Sequence, residues 1–435
     1  MKTLSPTDRF STDAVREFQE ELLLETVSYA NERSPFYKRL FDNSGLSPSD
    51  LKKKKYLNKL PFTTKPDIQK SSRGFLAVPK HKIAEIVSTT GTTGEPVFIS
   101  LTENDLERLA YNEEKSFSYT GAGRGDLFQI AVTCDNLFIA GIAYYKGLLR
   151  LGASVVRVGP QNIIRHFDII KKLNPTGIVA VPTFMFQMVR RANEKGISVK
   201  DLGIEKIVLI GDSIRNEDFS SNALGLAIEN SFGKKCYSTY GITEGQISFC
   251  ECEHHSGLHS HPDLVFTEIV DENGNSLPDF EIGELVITPF QIEGMPLIRY
   301  KTGDITFKIT GPCSCGRTSV RIGPILGRKF QRLKVKGVTL YPKTIENAIL
   351  ELKDVINYQI EAYTGTDQTD HLILRVGSYR NDSAFRASLE DILRAKARVA
   401  PEIEIESPEE IEKRLFSGGS RKAVTFKCRR TKLYE

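Results

Sequence analysis

The sequence predicts an α/β protein with a large N-terminal domain, in which mixed and parallel sheets are packed with helices, and a small C-terminal α+β domain. Three observations carry this. Between about Lys80 and Phe290, short apolar runs rich in β-branched residues alternate with longer helical patterns, the texture of a largely parallel sheet covered by helices. After Leu264 the helical patterns stop and a meander of strands begins. From about Arg332 strands and helices mix again over a stretch long enough to fold separately. The boundary therefore falls at Gln331, and the length of 435 residues suits one large domain and one smaller one. Residues 1–331 divide further into a helical lead-in (1–79), an α/β core (80–263) and a β-rich subdomain (264–331), with 332–435 as the small domain.

Taken in order, Ala14 to Asn31 reads as an amphipathic helix with Val15, Phe18, Leu22 and Tyr29 near one face. The run Lys52 to Lys55 reads as a solvated face, since no aromatic residues interleave with it. In the core, LFQIAVT (127–133), ASVVRVG (153–159), GIVAVPT (177–183) and KIVLIGD (206–212) read as strands, separated by helices at 136–151, 164–172, 184–195 and 215–229. Downstream, VFTEIVDENGNSLP carries an Asn-Gly hairpin turn, and GELVITPF and DITFKIT read as strands. The tail gives strands at LKVKG, YQIEAYT and HLILRVG and helices at 342–353 and 383–398.

Composition excludes several classes. Lys plus Arg total 59 against 55 for Asp plus Glu, so a net charge of +4 offers no broad attraction to nucleic acid or an anionic membrane. No apolar run approaches the roughly 18 residues that a membrane span needs, and the N-terminal stretch is polar, which predicts a cytoplasmic protein. Seven cysteines in such a chain read as free or metal-bound thiols rather than a disulfide framework. The balanced total hides a local segregation: residues 402–412 carry six acids and no base, and residues 413–435 carry eight bases and one acid. That basic strip suits a phosphate group. A homodimer is left open.

One motif points to phosphate chemistry, and two further motifs follow it in order. Ser88-Thr89-Thr90-Gly91-Thr92-Thr93-Gly94-Glu95-Pro96 follows an apolar strand; its glycines allow close backbone approach to a phosphate and its hydroxyls supply donors. It lacks the Lys of a GxxxxGK[ST] loop. Tyr240-Gly241-Ile242-Thr243-Glu244 and Tyr300-Lys301-Thr302-Gly303-Asp304 come later, each an aromatic turn leading to an acid.

With these motifs the sequence resembles the adenylate-forming acyl- and aryl-CoA synthetases, specifically their phenylacetate-CoA ligase branch. The resemblance extends through SPFYKRLF (34–41), LPFTTKPDI (60–68), PLIRYKTGD (296–304), GPCSCGR (311–317), ILGRKFQRLKVKGVTLYP (325–342) and GGSRKAV (418–424). It implies two steps: a carboxylate attacks the α-phosphate of ATP to form an acyl-adenylate and pyrophosphate, and the thiol of CoA then displaces AMP. It also implies a mobile C-terminal lid whose rotation exchanges the two half-reactions.

By this resemblance Glu244 holds Mg²⁺, Thr243 lies near the α-phosphate, and Tyr240 stacks on adenine beside Gly211-Asp212-Ser213. Gly241 and Ile242 belong to the same nucleotide site, and Asp304 accepts from both ribose hydroxyls, with Arg328 nearby. Lys422 is the catalytic lysine, bridging carboxylate and α-phosphate as charge builds up. Gly337 and Val338 line the CoA channel. Two positions depart from the pattern: Glu95 stands where many members have Lys, and Gln331 occupies the hinge position that is usually Asp or Lys.

Four of the seven cysteines and four of the seven histidines lie in two short segments. Cys252 and His259 from one, with Cys313 and Cys315 from the other, make a closed N/S ligand set suited to structural Zn²⁺. His259 is preferred because GLH matches the family pattern, with His261 second. The runs Phe138–Gly141, Tyr144-Tyr145 and Pro182–Phe186 are candidates for an apolar acyl pocket, which suggests an aryl or apolar carboxylic acid as substrate. Competing readings are an acceptor other than CoA (an amine, a protein or a cofactor) and a catalytically weakened nucleotide-binding homologue. A zinc-dependent nucleic-acid binder is disfavoured by the balanced charge.

Overall fold

The structure is a computed structural model that describes residues 7–46, 49–50, 59–89, 95–335, 338–365, 370–399, 401–416 and 423–430. The chain forms two units. The first comprises Met1–Ser221, Gly225–Thr302 and Thr306–Pro324; the second comprises Asn222–Leu224, Gly303–Ile305 and Ile325–Glu435. The second unit thus begins ahead of Gln331 and also takes in the end of the TGD motif.

The first unit is organised around a sheet of nine described strands. Five of them, Cys236–Ile242, Lys206–Leu209, Gly177–Ala180, Leu127–Ile130 and Ser154–Arg157, run parallel in that order. The central strands Gly177–Ala180 and Lys206–Leu209 are nearly continuous apolar runs because a strand covered on both faces has no polar side. Helices Ile139–Leu151, Ile163–Leu173 and Pro182–Glu194 connect them, close to where their 3.6-residue periodicity places them. Phe117, Phe128, Tyr144, Leu148, Val179 and Val208 form one buried cluster beneath these helices. Gly147 lets Ile139–Leu151 approach Glu103–Tyr119 closely, since a Cβ there would stand 2.3 Å from that of Glu113.

Past Cys236–Ile242 the sheet turns antiparallel through Ile247–Cys250, Leu258–His259, Arg321–Ile322 and Lys308–Ile309. Of the expected β-rich subdomain, Arg321–Ile322 and Lys308–Ile309 extend the core sheet. Strands of two residues leave no periodicity in the sequence. The rest forms a second sheet, in which Val265–Val270 pairs antiparallel with Gly283–Pro289, with Tyr300–Thr306 next in order.

One local expectation differs from the structure. Residues 215–221 are not helical: Asp218 accepts from the Ser220 amide at 3.0 Å, Arg215 bridges to Ser221, and the helix begins only at Ala223. Such side-chain-to-backbone bonds compete with helix formation. The Asn-Gly turn forms where the sequence places it: the Gly274 amide donates to the Asp271 carbonyl at 3.1 Å, and the Asp271 carboxylate collects the amides of Asn273 and Asn275 at 2.9 and 2.8 Å. Beyond it only the bridge Val270–Ser276 is made among the described residues.

The second unit contains a four-stranded sheet in the order Glu402–Glu406, Asp370–Gly377, Asn357–Thr364, Phe426–Arg429, antiparallel at its centre and parallel at both flanks. Ile345 and Ile349 from one helix and Phe385 and Leu389 from another pack on Ile360 and Leu374. The expected helix 383–398 is α-helical over Ser383–Ile392 and continues as a π turn over Leu393–Ala397. No helix among the described residues is long and apolar enough to cross a membrane.

Candidate active site

Thr243 and Glu244 sit in the turn of the hairpin formed by Cys236–Ile242 and Ile247–Cys250, where the last parallel strand hands over to the antiparallel flank. Carboxyl ends of parallel strands are the usual ligand-binding edge of an open α/β sheet. Gly241 is exposed, Tyr240, Ile242 and Thr243 are half-buried, and Glu244 is buried. The Tyr300 hydroxyl donates to Glu244 Oε1 at 3.3 Å. The Tyr240 ring lies 5.8 Å from that of Phe249. Gly211, Asp212 and Ser213 follow the neighbouring strand Lys206–Leu209, with Asp212 Oδ1 accepting from the Ser213 amide at 2.9 Å. Two motifs separated in sequence thus leave the same edge of one sheet from adjacent strands.

Beneath this edge lies a layer that the sequence reading did not assign. Helix Glu103–Tyr119 is capped by Thr102, whose hydroxyl accepts from the Asp105 amide at 3.2 Å while Asp105 accepts from Thr102, an arrangement worth about 1 kcal/mol. Its buried face carries Asp105, Arg108, Asn112, Glu113 and Ser116. Arg108 is fully buried and donates to the carbonyls of Phe290, Gln246 and Leu264 at 2.6, 2.8 and 2.6 Å, so it ties down the residue that closes the Glu244 turn. Burial pushes its guanidinium down to about 10, against the pull of Asp105 and Asp263. Asn112 donates to Ser248 Oγ at 2.6 Å, and Ser248 donates to Glu113 Oε1 at 2.7 Å. Desolvation raises the Glu113 carboxyl to about 7, only partly offset by its bonds from Ser248 and Asn112. Polar residues recurring at helical spacing normally mark a solvated face. The signal that could have found this one is a mixture of single charges and amides with no i,i+4 ion-pair ladder.

Of the glycine- and threonine-rich loop, Thr90, Gly91, Thr92, Thr93 and Gly94 lie outside the described residues. Ser88 ends strand Glu85–Ser88, and Thr89 exchanges bonds with Val97, so the loop joins two antiparallel strands, the second being Phe98–Leu101. Glu95 is exposed, and its carbonyl accepts from Gln69 at 2.7 Å. Among the acyl-pocket candidates, Tyr144 belongs to the buried core, and Arg157 lies 5.0 Å over the Tyr145 ring.

In the second unit Asp304 pairs in register with Arg328, and Arg328 Nε stands 3.2 Å from Asp304 Oδ1. Two residues expected at the ribose are thus neighbours. Arg430, buried, donates to the carbonyls of Phe330 and Arg332 at 2.8 Å each, holding the chain on both sides of Gln331. Val338 starts a short strand paired with Val335; Gly337 and Lys422 lie outside the described residues.

The remaining cluster forms in the first unit. One ligand atom each from Cys252, His259, Cys313 and Cys315 all lie within 4.8 Å of one another. His259 Nδ1 is 2.9 Å from Ser319 Oγ and Nε2 is 3.6 Å from Cys315 Sγ, so the ring turns its second nitrogen to the thiols. Burial lowers the His259 pKa and keeps the ring neutral. Cys313 is buried, yet hydrogen bonds from His259, the Cys315 amide and Ser256 bring its thiol down to about 5, while burial pushes Cys252 up. His261, the second choice, instead contacts Ser116 at 2.9 Å and Tyr119 at 3.2 Å. Arg317 lies 3.9 Å over the Tyr119 ring and pairs with Asp8 at 3.1 Å.

These features together define a class. The chain belongs to the AMP-binding, adenylate-forming enzymes, the model of AMP-binding enzymes matching residues 18–292. It is 34% identical over 354 residues to a phenylacetate-coenzyme A ligase of Thermus thermophilus, covering 80% of this chain and 78% of that one. It is 30% identical to a phenylacetate-coenzyme A ligase of Pseudomonas putida, covering 83% and 81%. Within the family it falls in the phenylacetate-CoA ligase branch. Its fold matches that of a 2-hydroxyisobutyryl-CoA ligase in complex with R3-HIB-AMP at a TM-score of 0.83, with 21% identity over 94% of this chain and 91% of that one.

Proposed function

We propose that this protein is an ATP-dependent carboxylic acid–CoA ligase. A carboxylate oxygen of the acid attacks the α-phosphorus of ATP as the bond to pyrophosphate breaks, giving an acyl-adenylate. The CoA sulfur then attacks the acyl carbon, its thiol proton passes to water, and AMP leaves. The observation that carries this reading is the buried Glu244 in the turn that Tyr240–Thr243 lead into, at the carboxyl edge of the parallel strands, in a chain of this family.

Phosphoryl chemistry of this kind asks the protein for position and charge rather than covalent participation. In this reading Tyr240 offers a ring face to adenine, Asp212 and Ser213 hydrogen-bond its edge, Asp304 with Arg328 holds the ribose, and Ser88 to Gly94 approach the β- and γ-phosphates. Thr243 donates to the α-phosphate, and Lys422 neutralises the charge gathering between acid and phosphate. Glu244 suits Mg²⁺, an ion that commonly takes one or two protein carboxylates with nucleotide oxygens and supplies charge neutralisation there. Gly337 and Val338 border the pantetheine path.

The Cys252, His259, Cys313 and Cys315 set fits Zn²⁺ by donor chemistry, three soft sulfurs and one neutral imidazole. Four protein ligands leave no open position, so the role is structural. Thiols used as ligands rather than disulfides favour a cytoplasmic setting. An aryl or apolar acid is the proposed substrate class, supported by the named relatives and by the apolar run 138–145.

The test is to mix enzyme, ATP, Mg²⁺ and CoA with a panel of aryl and aliphatic acids and to follow AMP and pyrophosphate. A thioester and AMP are expected with at least one aryl acid. Pyrophosphate release that ignores CoA would point to another acceptor, and no pyrophosphate with any acid would sink the proposal.

A further inference from the structure

The segments SPFY, LPFTT and LIRYK are far apart in the sequence and meet in the first unit. Thr63 forms a parallel bridge with Tyr300, its amide donating to the Arg299 carbonyl at 3.1 Å and its carbonyl accepting from the Lys301 amide at 2.9 Å. The main chain is therefore pinned on both sides of Tyr300. The Thr63 hydroxyl donates to the Ile298 carbonyl at 2.8 Å, and the Ile298 amide donates to the hydroxyl of the fully buried Tyr37 at 2.8 Å. Phe62 lies between two cations, with Arg299 4.1 Å and Lys301 4.4 Å from its ring centroid. Tyr300 itself is 1% exposed and its hydroxyl reaches Glu244 Oε1 at 3.3 Å.

We propose that Tyr300 is the positioning residue of the Glu244 carboxylate, and that the 60–64 segment acts through it. A phenol bonded to one carboxylate oxygen restricts rotation of the group, the same device by which outer-sphere partners orient metal ligands. The 60–64 segment acts through the Tyr300 main chain. It fixes where the Tyr300 main chain sits, and so where its hydroxyl ends.

The inference rests on the reading of Glu244 as a Mg²⁺ carboxylate, and the experiment separates the two. ATP–pyrophosphate exchange is measured against Mg²⁺ concentration for wild type, Tyr300→Phe, Thr63→Val, Glu244→Gln and the Tyr300→Phe/Glu244→Gln pair, with melting temperature and the KM for CoA alongside. Tyr300→Phe keeps the ring and should raise the half-saturating Mg²⁺ roughly tenfold, leaving melting temperature and the CoA KM unchanged. Thr63→Val should give a smaller shift in the same direction, and the pair should behave as Glu244→Gln alone. A Mg²⁺ profile unchanged in Tyr300→Phe but shifted in Glu244→Gln overturns the positioning role alone. A profile unchanged in Glu244→Gln overturns the metal reading and this inference with it. Equal losses in every kinetic constant together with a lower melting temperature would make Tyr300 a packing residue only, and overturn the proposal too.

Discussion

The hairpin of Cys236–Ile242 and Ile247–Cys250 has two ends of opposite chemical character. At the turn, Glu244 presents one carboxylate among hydroxyls, steadied by Tyr300. Just past the other end, Cys252 joins His259, Cys313 and Cys315 in a compact thiol-rich set. The difference is one of how many donors the protein commits. On the proposed reading, four ligands suit a resident ion that holds the fold, whereas one carboxylate suits a visitor that arrives with its nucleotide.

Removing metal should have the largest effect on stability, and that effect should come only from the thiol end. Structural zinc sites contribute on the order of 10 kcal/mol, so chelation or Cys313→Ser should lower the melting temperature by at least about 10 °C. Zinc analysis of the purified chain should find one ion per molecule. A chain without zinc that melts as high after chelation would remove the contrast. Second, Glu244→Gln should cut adenylation about a hundredfold or more while the melting temperature stays put. Loss of stability in that variant would turn the turn end into a structural site as well.

A third, smaller effect tests the layer between the two ends. The Glu113 carboxyl titrates at about 7 in the folded chain because it is buried, against an ordinary 4.5. The folded state therefore holds a proton that the unfolded chain has released, so this stabilising contribution is full below about 4.5 and is lost as pH rises through 7. Tyr144 and Cys250, which feel its charge, are held protonated by burial. Glu113→Gln should match wild type near pH 5 and gain on it toward pH 8, by up to about 3 kcal/mol. Melting curves across that range check this, and a difference independent of pH would show that Glu113 is not carrying the proton.

Legibility in the sequence followed contiguity. Four of the five parallel strands are legible because each lies in an apolar run rich in β-branched residues, whereas Cys236–Ile242, CYSTYGI, has no such run; YGITE stands out because its five residues are adjacent. The thiol set was readable despite its two segments, because Cys and His are chemically distinctive. Arg108, Asn112 and Glu113 escaped notice because a buried polar stripe and a solvated one share the same spacing, and only the partners, Ser248 and the carbonyls of Gln246, Leu264 and Phe290, tell them apart. Tyr300 was read as one letter of a motif; its contact with Glu244 exists only in three dimensions. The segment 215–221 has helical periodicity but is not helix, because the bonds that Asp218 accepts from the Ser220 amide and hydroxyl outweigh it.

The bridge between Thr63 and Tyr300 also bears on how the chain reaches its native state. Thr63 and Ile298, its hydrogen-bond partner, are 235 residues apart. Such a closure forms late and slowly, because distant segments must find each other against chain entropy. On a ribosome adding 5–20 residues per second, the 60–64 segment would wait roughly ten to fifty seconds for its partner to be made. Until then its aromatic and apolar residues lack their native cover, and the contact between Tyr300 and Glu244 can form only after residue 300 has been made.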